Sequence, residues 1–384
     1  MTKQDLIAAA FRVWGRKLYQ STSLSDLARE LQVTKAALYR HIKDKQELLD
    51  AMFDNFFDEY VLFIKPHYDR ALSADTVFNR YLIMARAIIE YYVVNRDAFI
   101  FSLINVYGNR KIGTMGQALR ARGVDMLALR IPGSTYPDIV QLMSSTVIFW
   151  VAYFHRLCPN SSIPSKESVQ ALLLFAEKNL GYGLGVSAAA IDRIDHEHLE
   201  QMLSLQYGVT ERLLRAVASE VAESGPWNVS MENIAKRSGL SKSSLYSHFQ
   251  NKQDMLGKLF TTELGRIAHC ARSGLALSDI PEEQLYAAIF SIADYLRERP
   301  EILATIDWIR TRYVHINIPG PHLLFFAGIA VSGTGEEMIN HWILFLIVNT
   351  LMHSPDNTVS NGNIRILFRF ICLGISGFSA PVPV

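Results

Sequence analysis

The chain has 384 residues, of which 49% are apolar and 11% aromatic. This excludes a disordered chain and allows more than one hydrophobic core, since domains usually hold about 100–200 residues. The 38 basic and 37 acidic residues leave a net charge of +1, which argues against a polybasic nucleic-acid coat but allows a local basic face. Three widely separated cysteines provide no disulfide framework, and the most apolar stretches, 322–331 and 338–352, are too short to span a bilayer. We expect a soluble, cytoplasmic protein.

Helical periodicity predicts the elements of the first part of the chain. Apolar residues at helical spacing mark a helix over 6–13, and the hydroxyls of Thr22, Ser23 and Ser25 offer caps for a short second helix. A tight turn at 32–33 leads to Thr34, which can cap a third helix over 35–41, and a break at 43–44 starts a long fourth helix. Two short helices joined in this way are typical of a helix-turn-helix.

The same pattern returns 207 positions later. Residues 33–49 align without a gap on residues 240–256, and seven of the seventeen pairs are identical. Average composition gives about one identity by chance in such a window. The identical pairs are Lys35/Lys242, Leu38/Leu245, Tyr39/Tyr246, His41/His248, Lys45/Lys252, Gln46/Gln253 and Leu49/Leu256. Because the shift is close to half the chain length, the whole chain is predicted to be a duplicated unit.

The rest of each copy is predicted to be helical, with little of the alternation that indicates strands. Each copy ends in two long apolar stretches, at 137–157 and 168–184 in the first copy and at 338–352 and 363–378 in the second. We therefore predict an all-α fold.

The third helix of each copy has short or cationic outward residues, which suit a major groove about 12 Å wide. Lysine, tyrosine and histidine near helix ends suit phosphate contacts. Positions 36, 37 and 40 differ from 243, 244 and 247, so the two copies are expected to read different half-sites, with Arg40→Ala weakening one of them more. A single charged short helix is more often a solvated surface, but its duplication favours DNA binding.

These residues resemble the DNA-binding head of TetR-family transcriptional repressors. The resemblance rests on an apolar-Ala pair (Leu27-Ala28 and Ile234-Ala235), then Val-Thr-Lys or Leu-Ser-Lys, then Leu-Tyr-x-His-apolar-x-Asx-Lys. Gly239 stands at the family's usual turn glycine, whereas the first copy has Gln32, a departure expected to alter its turn. The resemblance implies a helical regulatory domain behind each head, which binds a small effector. Family members carry one head per chain and dimerise through their last two helices.

The fold class that follows is all-α, with two tandem TetR-like units paired as an intramolecular pseudo-dimer. The expected domains are a first head at 1–55, a first regulatory domain at 56–186, a linker at 187–208, a second head at 209–262 and a second regulatory domain at 263–384. One chain is thus expected to act as a monomeric pseudo-dimer.

Double-stranded DNA and a small-molecule effector are the expected partners. The DNA-binding candidates are Ser23, Thr34, Lys35, Ala36, Ala37, Tyr39, Arg40, His41, Lys45, Ser230, Ser241, Lys242, Ser243, Ser244, Tyr246, Ser247, His248 and Lys252. The effector candidates are Tyr91, Phe101, Asn105, Trp150, Tyr153, Trp308, Arg312, His341 and Trp342, with His67, Tyr92 and His155 as further members. Aromatic walls with few polar groups suit a small, mostly apolar ligand.

No enzyme, metal or cofactor is expected. The run 195–198 holds two imidazoles at a spacing that is poor for one metal on a helix, so it is interpreted as a solvated, charged linker. The prediction is a regulator, most simply a repressor, that binds an imperfect palindromic operator and is released by its effector. The alternative is a helical protein-binding or architectural module in which one or both heads do not bind DNA.

Overall fold

The computed structural model describes residues 2–14, 23–106, 114–129, 139–157, 164–203, 212–225, 228–312, 336–352 and 359–378. At 104, 114, 156–157, 307–312 and 336–337 it describes the backbone alone. This part of the chain is built from helices and contains no strand, so the all-α prediction is confirmed. The chain divides into two compact units, Met1–Gly181 and Tyr182–Val384.

The first unit begins with three helices of a head and continues into a longer helical body. Its helices are α1 (Lys3–Trp14), α2 (Leu24–Glu30), α3 (Lys35–Leu38), α4 (Lys45–Leu72), α5 (Val77–Val94), α6 (Arg96–Phe101), α7 (Thr114–Ala121), α8 (Ile139–Leu157) and α9 (Lys166–Tyr182), whose last residue already belongs to the second unit. A π-helical turn, Ser102–Val106, follows α6 directly.

The second unit repeats this order after two short helices. Its helices are α10 (Ala188–Ile191), α11 (His196–Met202), α12 (Arg212–Ser224), α13 (Met231–Ser238), α14 (Lys242–His248), α15 (Lys252–Leu275), α16 (Pro281–Arg297), α17 (Pro300–Arg312), α18 (Glu336–Met352) and α19 (Asn361–Leu373). A 3-10 turn, Gly374–Phe378, ends the described chain. Among the described helices, none combines the length and the apolar character that crossing a bilayer requires.

The core of the first unit is aromatic where the head meets the body. Phe101 on α6 lies 4.9 Å from Phe11 on α1, 5.1 Å from Phe53 and 5.6 Å from Phe56 on α4, between ring centroids. The contacts with Phe11 and Phe53 are edge-to-face, and such pairs add about 0.5–1.5 kcal/mol each beyond the burial of their area. Through Phe101, the helix after α5 therefore packs directly on the first helix of the head.

The second unit is held by a close approach of α15 and α16. A Cβ atom built on Gly274 would lie 2.5 Å from backbone atoms of Ala287 and Ala288, so only glycine allows this approach. About three turns earlier on α15, Glu263 is 1% exposed and accepts hydrogen bonds from Tyr295 and Arg266. Position 263 is the counterpart of Phe56 at the shift of 207, so an ionic network replaces an aromatic contact here.

The segment expected to be a solvated linker differs from that expectation. Residues 188–202 form α10 and α11, whose Ile191 and Leu199 are buried. Glu200 on α11 accepts two hydrogen bonds from Arg365 on α19, at 2.8 and 3.0 Å, and one from Tyr286 on α16. Buried apolar residues and this carboxylate fasten the segment to the second unit, so it is part of that unit's packing. Residues 204–208 of the expected linker lie outside the described residues.

Candidate nucleic-acid interface

Both heads begin their helix-turn-helix with a serine that caps the first of its two helices. Ser23 Oγ accepts from the backbone N–H of Asp26 at 3.2 Å, and Ser230 Oγ accepts from that of Asn233 at 3.3 Å. Each hydroxyl thus satisfies one of the free N–H groups that open a helix. The two caps stand 207 positions apart, at the shift of the sequence repeat.

The next two helices of each head have matching caps. Thr34 Oγ1 accepts from Ala37 N at 3.2 Å at the start of α3, and Ser241 Oγ accepts from Ser244 N at 3.0 Å at the start of α14. At the start of the long helices, Asp44 Oδ1 accepts from Glu47 N at 2.8 Å and Asn251 Oδ1 accepts from Asp254 N at 2.9 Å. Of the hydroxyl caps predicted in the first head, those of Ser23 and Thr34 are confirmed. Asp44 is a further cap that was not predicted, and all three have counterparts in the second head.

The carboxylates at the third position of the long helices add a reciprocal contact. Glu47 Oε2 accepts from Lys43 N at 2.7 Å, and Asp254 Oδ2 accepts from Gln250 N at 2.9 Å. These contacts lower the pKa of Glu47 and of Asp254, with the backbone hydrogen bond as the largest cause in each. Neither residue was predicted from the sequence, although an acid three positions after a cap residue is the signal for a carboxylate that reaches back to the start of a helix.

The turn between the two short helices keeps one geometry despite different residues. Gln32 has φ of 54° and Gly239 has φ of 73°, so both adopt the left-handed region. In each head the following N–H reaches back to the helix, from Val33 to Ala28 O at 2.9 Å and from Leu240 to Ala235 O at 3.0 Å. The expectation that Gln32 alters the turn is therefore wrong, because glutamine takes up the conformation that glycine adopts freely.

The second short helix of each head, α3 or α14, is here called the recognition helix, and apolar residues anchor its inner side. Leu38 and Leu245 are 0% exposed, and Ile42 and Phe249 are 3% exposed. Helix α3 ends at Leu38, earlier than the predicted 41, and residues 39–41 form a turn in which the N–H groups of His41 and Ile42 both donate to the carbonyl of Leu38. Helix α14 continues to His248.

The outward sides present the predicted DNA-binding residues to solvent. Tyr39 and Tyr246 are each 53% exposed. Also exposed are Thr34, Lys35, Ala36 and Arg40 in the first head and Ser241, Lys242, Ser243, Ser247, His248 and Lys252 in the second. Partly buried are Ser23, Ala37, His41, Lys45, Ser230 and Ser244. In each head these residues lie on the second short helix or beside its two ends, except for the serine that caps the preceding helix.

Lys45 and Lys252 differ in their surroundings. The Lys45 ammonium lies 5.9 Å from the ring centroid of Trp14, at the end of α1, and burial lowers the pKa of Lys45. Position 221, the counterpart of Trp14, is a valine, and Lys252 is exposed. The first head therefore holds this cation beside an aromatic ring, whereas the second extends it into solvent.

The second head contains a buried carboxylate that sequence analysis did not single out. Glu220 on α12 is 1% exposed, and its Oε1 accepts from Ser230 N and from Asn233 Nδ2, both at 3.1 Å. The counterpart of Glu220 in the first head is Val13. A carboxylate among apolar positions of a helix is the signal for such a residue, but it does not identify the partners.

The effector candidates of the first unit lie in two groups of aromatic rings. Tyr91 contacts Tyr60, with ring centroids 4.9 Å apart, in the cluster that extends to Phe101. Trp150 is 0% exposed and packs on Phe149, which also stacks with Tyr153. The Asn105 amide donates to Phe101 O at 3.3 Å.

In the second unit, Trp342 is buried and His341 partly buried on α18, whereas the side chains of Trp308 and Arg312 lie outside the described residues.

Two open grooves are outlined on the described surface. One, of about 640 Å³, lies between α4, α5 and α9 with His67 among its lining residues. The other, of about 400 Å³, runs from Arg215 on α12 to Glu301 on α17. Apart from His67, the effector candidates line neither groove.

Comparison with known proteins agrees with this geometry. The sequence model of the family "Bacterial regulatory proteins, tetR family" matches residues 6–52 and 213–259, which are the two heads. The chain is also 28% identical, over 76 residues, to the biofilm operon icaADBC HTH-type negative transcriptional regulator IcaR of Staphylococcus epidermidis. That match covers 20% of this chain and 41% of the relative. Both heads of this chain therefore belong to the tetR family of bacterial regulatory proteins.

Proposed function

We propose that this chain is a transcriptional regulator that binds one DNA operator through both of its heads. The observation that carries the proposal is the repetition of a complete helix-turn-helix frame, with three capped helices and a left-handed turn, at a constant shift of 207 positions. Each frame exposes lysine and tyrosine beside a helix whose inner side is anchored by a buried leucine. Such a helix fits the major groove.

The exposed residues have distinct roles in this proposal. Lys35, Tyr39, His41 and Lys45, with their counterparts Lys242, Tyr246, His248 and Lys252, bind the phosphate backbone. Ala36, Ala37 and Arg40 face base edges in one half-site, and Ser243, Ser244 and Ser247 face them in the other. Ser23, Thr34, Ser230 and Ser241 support the contact by holding the helices, since their hydroxyls accept backbone hydrogen bonds. The operator is then an imperfect palindrome.

A single chain replaces the usual dimer in this proposal, because it already supplies two heads. A monomeric pseudo-dimer is expected to bind one operator with one chain. Sizing with light scattering, with and without a duplex, measures the stoichiometry. Two chains on one operator with all four heads engaged would contradict this part of the proposal.

Regulation is proposed to be repression that a small, mostly apolar effector relieves. The similar protein IcaR is named as a negative transcriptional regulator, which supports the direction of the effect. The buried rings of the first body support an apolar effector, and the contact of Phe101 with Phe11 links that body to its head. An effector would then act on DNA affinity through packing between α6 and α1.

Capture of operator fragments from fragmented genomic DNA, at a stated salt concentration, tests the function. We expect discrete fragments to be enriched, with affinity that falls as salt rises. Lys45→Ala and Lys252→Ala should each weaken binding to all sequences and reduce the salt slope by about one. Enrichment of no sequence over bulk DNA would refute the proposal and favour the protein-binding alternative.

A further inference from the structure

The two heads share their frame but not the surface that the frame presents. Arg40 and Lys43 are exposed in the first head, and at the same positions the second head exposes Ser247 and Gln250. From the cap of the recognition helix to the start of the long helix, the first head carries Lys35, Arg40, Lys43 and Lys45, whereas the second carries Lys242 and Lys252. The second surface therefore has fewer cations, and both of its lysines have a lysine counterpart in the first head.

The serines of the second head bond largely to their own helix. Ser241 Oγ lies 2.8 Å from both Ser243 Oγ and Ser244 Oγ, and Ser247 Oγ donates to Ser244 O at 2.7 Å. A base that bonds to one of these hydroxyls has to compete with a contact already made. Serine also pairs with more than one base, whereas an arginine fork bonds to guanine O6 and N7 together.

Among the described residues of the first head, the Arg40 side chain makes no such hydrogen bond. Its neighbours Ala36 and Ala37 are small and carry no polar side-chain atoms, which leaves room for the guanidinium to approach a base edge. The residue lies on the exposed side of the turn that follows α3, between exposed Tyr39 and partly buried His41.

We propose that the two heads divide recognition: the first head reads sequence, with Arg40 binding guanine, and the second head holds the backbone with little choice of base. The inference rests on the proposed function and deepens it. In the second head, the phosphate contacts come from Lys242, Tyr246 and Lys252. Its serines tolerate different bases. Specificity then comes mainly from one half-site, while affinity comes from both.

Selection from a random double-stranded DNA library with the full chain, at fixed salt, tests the division. The unchanged protein should enrich one half-site with a firm guanine and a second half-site with weak preferences. Arg40→Ser should remove the guanine preference, a loss of about 5- to 100-fold against the other bases. Ser247→Arg should create a second guanine preference of the same order and turn the selected site toward a palindrome.

Two controls keep the result interpretable. Gln250→Ala should leave the selected sequence unchanged, because Gln250 is exposed beyond the end of α14 and is not among the residues proposed to contact DNA. Each variant should still bind bulk DNA with an affinity that falls as salt rises, because the second head still contacts the phosphate backbone. This residual binding shows that the variant is folded. Equally firm preferences in both half-sites, or no new preference with Ser247→Arg, would overturn the division alone. A chain that enriches no sequence at all would overturn the proposed function as well.

Discussion

The left-handed turn of the two heads allows a reciprocal exchange that tests the fold of each head. Gln32 has φ of 54° where Gly239 has φ of 73°. A side chain with a Cβ costs about 1–2 kcal/mol in this region. Replacement by glycine relieves that cost but gives the unfolded chain more freedom, which offsets about 0.4–1 kcal/mol. Gln32→Gly should therefore stabilise the first head by about 0.5–1 kcal/mol.

The reverse change, Gly239→Gln, should act on the second head with the opposite sign. Its Cβ would lie 3.0 Å from Arg212 Nη2, the flexible end of a side chain that can move away. The left-handed strain then dominates, and we expect a loss of about 1 kcal/mol. The two variants thus form a matched pair at equivalent positions.

Hydrogen exchange in the full chain measures both changes locally, because the amides of a region exchange through openings of that region. The informative amides are those of Val33 and Leu240, which bond back to the preceding helix. Exchange should slow about two- to fivefold in the first head of Gln32→Gly and accelerate about fivefold in the second head of Gly239→Gln. The untouched head of each variant is the control. Unchanged or faster exchange at Val33 in Gln32→Gly would refute the reasoning, because it would show that Gln32 carries no strain.

Four further substitutions test other contacts of the described structure. Asp44→Ala and Asn251→Ala each remove one cap and should destabilise their own heads by similar amounts, about 0.5–2 kcal/mol, in local exchange; a loss in only one head would contradict the equivalence of the frames. Glu200→Gln should destabilise the second unit by about 1.5–3 kcal/mol in denaturant unfolding. Burial raises the pKa of Glu200, but the hydrogen bonds of its three donors lower it overall. Its contribution is therefore present above the ordinary value of 4.5 and lost as pH falls through the lower folded pKa; equal acid sensitivity of the variant and the unchanged protein would count against this. Burial lowers the pKa of His155, whose ring lies 2.9 Å from Tyr92 O. The stability that the neutral ring contributes is thus fully present above pH 6.5 and declines as the pH falls below it. His155→Phe should therefore reduce the fall in melting temperature below pH 6.5.

The heads were predictable because their signals are local. A hydroxyl residue before an apolar-periodic stretch caps a helix by contacts within four residues, so the caps of α2 and α3 could be predicted from the sequence. Repetition of the pattern then supplied the second head. The conformation of Gln32 could not be assigned, because glutamine gives no local sign that the surrounding turn holds it at positive φ.

The connection between the units could not be predicted for a different reason. The charged run at 195–200 has the composition of a solvated linker, and the partners that fasten it are distant in sequence. Arg365 and Asn361 lie more than a hundred positions from Glu200, and only tertiary packing brings them to its carboxylate. Local composition carries no information about such contacts.

The fastening of α11 determines where the chain can be divided for separate study of its halves. A fragment that starts at Arg212 would contain the complete second helix-turn-helix but would strip Glu200 from Arg365 and Tyr286. Gly183 also packs against the backbone of α19, since a Cβ atom on Gly183 would lie 2.3 Å from Ile371 O. Cleavage ahead of Gly183 leaves these contacts whole. Dissection guided by motif boundaries would remove a structural part of the second half, and any instability of the product would then be an artefact of the cut.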